Sequence, residues 1–304
     1  MNKCPLVSAV IPVYNGSNYV REAIDSALAQ TYKNIEIIVI DDGSTDNTWE
    51  ILQSYGDKIR AFHKENGGVS TALNMGIKNM RGEWFAWLSH DDLWLPENIE
   101  KKIQFLNEHQ DCMMCYGEMD YINSEHKILK IYNTTGRWYP KGKMLRHMLR
   151  CGVCDIWGIT TLINRECFGK IGVFNENLRY CQDYEFWYRL ALEYDLGLCK
   201  GKYSQLRVHP EQIGYRHNKS CYDEYNEIRL NLYQKTKAEE YYPELLNPRL
   251  SKIKRIALQI SSKIYLKYLK LCIQHNIPEL SEMPKEIARV ILPKKIKAYI
   301  RKNW

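Results

Sequence analysis

Between residues 6 and 88 of this 304-residue chain, short β-branched runs alternate with amphipathic stretches, and each run ends in a polar cluster. Residues 6–13 read as a buried strand, after which Val20, Ile24, Ala27 and Leu28 fall on one helical face. A second run, 35–40, ends in Asp41-Asp42-Gly43-Ser44-Thr45-Asp46, turn and helix-capping residues ahead of a periodic stretch through Trp49 and Leu52. A short strand at 59–62, the loop Glu65-Asn66-Gly67-Gly68, a helix through Leu73 and Ile77, and a strand at 84–88 continue the alternation. Such a pattern predicts a Rossmann-like α/β fold, a mostly parallel sheet flanked by helices with right-handed crossovers. Ligands of these sheets sit at the carboxyl ends of the strands, where loops and helix N-termini converge. Asn15, Asp41, Asp42, Asn66, Asp91 and Asp92 all follow strands in this way.

Further on, Ile99, Ile103 and Leu106 mark a helix after Pro96, and residues 112–121 read as another strand. From 122 to 179 periodicity is weak, which predicts strands and acceptor-side loops. Phe186, Trp187 and Leu190 recur at helical spacing, so a helix is expected to start near Asp183. From about residue 248, Ile253, Ile256, Ala257, Ile260, Ile264, Tyr268 and Leu271 share one face of a basic amphipathic helix. Two regions are thus expected, 1–215 for the sheet domain and 216–304 for a helical C-terminal extension.

The net charge of +7 is uneven: residues 246–304 hold 14 Lys and Arg against 3 Glu, a net +11, leaving −4 on the rest. The first residues have one Lys and an apolar stretch broken by Pro12, which suits neither a cleaved signal nor a membrane span, so a cytoplasmic location is expected. The ten cysteines include two CxxC pairs, Cys112/Cys115 and Cys151/Cys154, too widely separated for common zinc ribbons. Buried, reduced thiols are the expected reading.

Two adjacent carboxylates, Asp91 and Asp92, sit between an apolar strand and Pro96. Hard oxygen ligands suit Mg²⁺ or Mn²⁺ bridging a diphosphate; alone, the same pair could simply precede and cap a helix. Asp42 can accept a hydrogen bond from a nucleobase imide, while Asp41 is expected to order the turn.

Residues 6–15, the Asp41 to Asp46 turn, Asn66-Gly67-Gly68 and Ser89-His90-Asp91-Asp92 together resemble the successive signatures of family 2 glycosyltransferases over roughly residues 5–210. The resemblance implies the GT-A fold and an inverting transfer from a nucleoside-diphosphate sugar, a UDP-sugar by expectation, with Mn²⁺ or Mg²⁺. By position, Pro12, Tyr14, Asp42 and Asn66 would line the nucleotide, Asp91 the ribose or donor sugar, and Asp92 the metal. Many members have a third Asp where this chain has Ser89. Cys181-Gln182-Asp183-Tyr184-Glu185 resembles the family's Glu-Asp segment with Gln182 in place of Glu. Asp183 would then be the base that takes the acceptor proton, with helix capping as its structural alternative and Glu185 as the fallback. His209 resembles a late histidine near the metal or diphosphate, and Gly158 and Thr160 a loop facing the donor.

A basic amphipathic helix can bind anionic lipid, so peripheral association with the inner membrane face and a glycan or lipid-linked acceptor are expected. The same apolar face could form a homo-oligomer seam. Nucleic acid is not expected, because the basic segment lacks a binding motif and the rest of the chain is acidic. Two other functions compete. A sugar-nucleotide pyrophosphorylase would show a glycine-rich basic loop near the start, yet residues 13–19 contain one glycine and no Lys or Arg. A non-catalytic nucleotide-sugar binding protein would need no base at Asp183.

Overall fold

The computed structural model describes residues 4–129, 138–151, 156–212 and 218–241. The first half runs β1 (Val7–Val13), α1 (Val20–Leu28), β2 (Ile35–Asp41), α2 (Thr48–Gln53), β3 (Arg60–His63), α3 (Val69–Asn79) and β4 (Trp84–Trp87). There follow β5 (Leu93–Trp94), α4 (Asn98–Glu108), β6 (Met114–Ile122), β7 (Ile128–Leu129), α5 (Lys143–Cys151) and β8 (Thr161–Asn164). The last elements are α6 (Glu166–Ile171), α7 (Gln182–Glu193), β9 (Gly197–Arg207), α8 (Asn218–Lys235) and α9 (Ala238–Tyr241).

One sheet joins the strands in the order β3-β2-β1-β4-β8-β6-β9-β5, with β7 on β6. β1, β2, β3 and β4 are parallel to one another, while β8 runs antiparallel to both β4 and β6. Period-two alternation splits the parallel strands between two cores. Ala9, Ile11, Ile37 and Val39 pack with α1 and α4 residues on one face, and Val10, Ile38 and Ile40 pack with α3 and α7 residues on the other. Every residue of β1 is therefore buried, as a central parallel strand demands. Pro12 is tolerated because it lies beyond Val10–Trp87, the last residue pair with β4, where one side of β1 no longer pairs.

Two helices, α5 and α6, occupy the stretch for which the sequence predicts strands and loops. Both are short, and Met144, Leu145, Met148, Cys167 and Phe168 drop into the core without giving a long periodic signature. Cys112 and Cys115 are free, buried thiols whose titration is pushed up by desolvation. Cys154 lies outside the described residues, as does the basic amphipathic segment beyond residue 241. Within the expected C-terminal region, α8 packs against α7. Among the described residues no helix is long and apolar enough to cross a membrane.

Candidate active site

The loops after β1, β2 and β3 are knitted into one shelf. Asn15, with φ of 49°, donates its N–H to Ser44 Oγ at 2.9 Å and accepts the Thr45 N–H at 2.8 Å; asparagine tolerates this left-handed backbone. Asp46 accepts the Ser17 and Thr48 N–H groups, and Thr48 Oγ1 accepts the Gly16 N–H. Gly43 has φ of 79°, and a Cβ there would stand 2.7 Å from the Asn66 nitrogen, so only glycine lets the β2 turn meet the Asn66 loop. Pro12 is buried, while Tyr14 and Asn66 are exposed on this shelf.

The two adjacent aspartates of the turn play different parts. Asp41 is fully buried, accepting the Ser44 N–H at 3.1 Å and facing His63 Nδ1 at 2.7 Å, which is the turn-ordering role expected for it. Asp42 accepts the Gly67 and Gly68 N–H groups at 3.1 and 2.7 Å and pairs with the Lys64 ammonium. The sequence predicts a nucleobase partner for Asp42, whereas here its oxygens hold the Asn66 loop. A base would enter as an added or exchanged partner. Lys64, to which the sequence reading gave no role, also donates to Thr71 Oγ1 at 2.8 Å.

The second cluster forms because β5 turns back onto β9, pairing Leu93 with Gln205 and Trp94 with Ser204. This register sets the end of β9 beside Asp91 and Asp92. The Arg207 N–H donates to Asp92 Oδ1 at 2.8 Å, and His209 Nε2 lies 3.0 Å from Asp91 Oδ2. Arg207 is fully buried: Nε donates to the Asp91 carbonyl at 2.9 Å, Nη2 to Glu22 at 2.6 Å, and its guanidinium sits 4.6 Å over the Tyr19 ring. Arg207 and Glu22 are parts of the site that the sequence reading missed, because their partners lie 116 and 185 positions away in the chain.

The two carboxyls titrate in opposite directions. Burial, then the charge of Asp91, pushes the Asp92 carboxyl well above the ordinary carboxylate range, against hydrogen bonds from the Arg207 N–H and Ser89. Ser89, where a third Asp would add repulsion, thus supplies a hydroxyl. Burial also raises Asp91, but the His90 imidazole and the bond and charge of His209 outweigh it and hold Asp91 low. His209 Nδ1 is buried and, among the described residues, has no hydrogen-bond partner.

Gly158 packs flat on Trp87, three residues ahead of His90, and a Cβ there would lie 2.4 Å from the ring. Thr160 donates its hydroxyl back to the Trp157 carbonyl at 2.8 Å. Asp183 lies in the first turn of α7, a helix joined to β4 through the ring contacts Phe186–Phe174 at 4.4 Å and Phe174–Trp87 at 5.7 Å. The helix cap is Cys181, not Asp183. Asp183 is partly exposed at its surface yet crowded by protein, and that desolvation pushes its carboxyl up to about 6, although it accepts the Tyr184 N–H at 2.7 Å. Glu185 is engaged instead with Arg189 at 2.7 Å.

Comparison with known proteins places this geometry. A "glycosyltransferase" of Rickettsia typhi, uncharacterised, is 52% identical over 187 residues, covering 61% of this chain and 58% of that one. One from Rickettsia felis is 46% identical over 225 residues, covering 72% of this chain but only 37% of its own length. The chain therefore spans 37% of the length of the Rickettsia felis relative and 58% of that of the Rickettsia typhi one. An Escherichia coli protein named UDP-Glc:alpha-D-GlcNAc-diphosphoundecaprenol beta-1,3-glucosyltransferase is 33% identical over 186 residues, covering 60% of this chain and 68% of that protein. In fold, the chain superposes on the crystal structure of S. aureus TarS 1-349 with a TM-score of 0.63 at 16% identity, over 98% of this chain and 92% of TarS 1-349. That likeness supports the GT-A type of α/β sheet. The pattern described as "Glycosyl transferase family 2" matches residues 8–172, more than half of the sequence, and the chain belongs to that family.

Proposed function

We propose that this protein is an inverting glycosyltransferase that moves a sugar from a UDP-sugar to an acceptor hydroxyl in cell-surface glycan assembly. The observation that carries the reading is the Asp91–Asp92 pair, fixed at the carboxyl end of β4 by Arg207 and His209 beside the nucleotide shelf. The solved complex of TarS with UDP-GlcNAc and the name of the E. coli relative support a nucleotide-sugar donor and a lipid-linked acceptor. In this reading Pro12, Tyr14, Asp42 and Asn66 line the nucleotide, and Asp91 lies toward the ribose or donor sugar. The acceptor oxygen forms a bond to the anomeric carbon as the bond to the diphosphate breaks, and Asp183 takes the hydroxyl proton.

Asp92 and His209 fit a hard divalent cation, Mn²⁺ or Mg²⁺. If His209 donates Nε2–H to Asp91, the buried Nδ1 is left as a lone pair with no partner among the described residues, the arrangement a metal-ligating histidine shows. The same described residues contain no cluster of three His, Cys, Asp or Glu side chains able to hold an ion. One carboxylate and one imidazole suit a cation that takes its remaining ligands from phosphate and water. When bound, such an ion neutralises the leaving diphosphate.

Release of UDP from a panel of UDP-sugars, with and without glycan acceptors, tests the reaction. Asp92→Ala should abolish the gain in UDP affinity that Mn²⁺ gives in calorimetry. An Asp92→Ala protein that keeps that gain would remove Asp92 from the metal.

A further inference from the structure

The loop that leads into α7 is held from outside the helix. Its N-cap residue, Cys181, makes no side-chain cap hydrogen bond. Instead the N–H groups of Arg179, Tyr180 and Cys181 all donate to one carboxylate, that of Glu224 on α8, at 2.8, 2.7 and 2.8 Å. Three backbone donors converging on an anion form a strong, charge-assisted clamp. The contacts continue up both helices: the Cys181 thiol donates to the Cys221 carbonyl at 3.4 Å, the Tyr184 and Tyr225 rings meet edge-on at 4.7 Å, and the Tyr188 hydroxyl donates to the Leu232 carbonyl at 3.1 Å. Residue numbers rise together on the two helices, so α7 and α8 run parallel with their N-terminal ends adjacent. Glu224 thus reaches the start of α7, two residues before Asp183.

We propose that Glu224 is a positioning residue for Asp183: by clamping the backbone of residues 179–181 it fixes where the first turn of α7 presents the base. The inference rests on the reading of Asp183 as the general base. The two carboxylates flank the Cys181 thiol, whose titration is pushed up by burial and then by the charges of Asp183 and Glu224. Among the described residues, the titratable and charged groups packed around this helix start include the Cys221 thiol, the Tyr184 and Tyr225 phenols, Arg229 over the Tyr225 ring, and the Glu185–Arg189 pair. A clamp that merely stabilised the fold would change the amount of active protein and leave the turnover of each folded molecule alone.

Glu224→Ala and Glu224→Asp, made in the full chain beside Asp183→Asn, separate these roles. Aspartate keeps the charge but withdraws the oxygens by one methylene. UDP affinity by calorimetry reports folding and donor binding, and UDP release at saturating donor and acceptor reports kcat. We expect UDP affinity within about two-fold of wild type and kcat lowered by about 10–100-fold, the scale of displacing a catalytic group by up to about 1 Å and less than that of removing it. The acid limb of the kcat–pH profile should move down from near 6 as water reaches the loosened helix start. Glu224→Asp decides the matter if Glu224→Ala no longer binds UDP. Wild-type kcat and an unmoved acid limb in a Glu224 variant that binds UDP, with Asp183→Asn inactive, would overturn the proposal. A fully active Asp183→Asn would instead sink the base assignment itself.

Discussion

Burial shapes Asp183 in two ways, through chemistry and through stability. With its carboxyl pushed from 3.8 to about 6, it is ionised at neutral pH yet basic enough to take a proton in the transition state. Asp183→Asn keeps the size of the side chain and removes the proposed base, so on that reading kcat should fall by about 10²–10⁴ while UDP affinity holds. Stability should change in the opposite direction. Below pH 3.8 the carboxyl is neutral in folded and unfolded chains alike. Between 3.8 and about 6 the folded chain keeps a proton that the unfolded chain has lost, so wild-type stability falls as pH rises, and above 6 the full penalty applies. Allowing for partial exposure, that penalty is on the order of 2 kcal/mol. Denaturant titrations should therefore find Asp183→Asn more stable than wild type at pH 7.5, with the gap closing by pH 3.8. An equal gap at both pH values would show that the carboxyl is not desolvated in the folded protein.

Among the elements, β5 and β9 do the most to assemble the site, and neither is conspicuous in the sequence. β5 is two residues long, too short for periodicity to register, and Lys200-Gly201-Lys202 interrupts the apolar pattern of β9. The parallel strands were legible because burial on both faces writes continuous β-branched runs, and the Asp91–Asp92 pair because a carboxyl pair at a strand end is a local pattern. Arg207, Glu22 and Lys64 were not, since their roles exist only once distant segments meet. Lys102 makes the same point on α4: it stands beside the apolar Ile99, Ile103 and Leu106, and the fold buries it wholly, with its ammonium bonded to Asn98. Arg207→Lys tests the β9 junction, because lysine keeps the charge but cannot donate at once to the Asp91 carbonyl, the Ser124 carbonyl and Glu22. Losing these bonds should destabilise by about 1–3 kcal/mol and weaken Mn²⁺-dependent UDP binding by about ten-fold as the Asp91–Asp92 turn loosens. Thermal unfolding and calorimetry check both. Unchanged donor affinity in a destabilised Arg207→Lys protein would confine Arg207 to a structural part.

On the scale of the whole molecule, residues 1–245 and the C-terminal segment differ in charge, −4 against +11 for residues 246–304. That segment lies outside the described residues, so the prediction rests on its sequence, in which apolar residues keep helical spacing from Ile253 to Leu271 with lysines between them. We propose that it holds the enzyme at an anionic membrane face, where a lipid-linked acceptor would be met. Each basic residue near such a surface contributes about 1 kcal/mol, and the attraction is screened within roughly 8 Å at physiological ionic strength. A homo-oligomer seam built from the same apolar face would respond far less to salt. The full chain should therefore sediment with vesicles containing phosphatidylglycerol, release as salt is raised, and ignore vesicles of phosphatidylcholine alone. Replacing Lys252, Lys254, Arg255, Lys263 and Lys267 with Gln leaves the apolar face intact and should abolish sedimentation while UDP affinity is retained. Light scattering on the same samples reads the alternative: a stable dimer that ignores lipid, salt and the five substitutions would assign the segment to self-association instead.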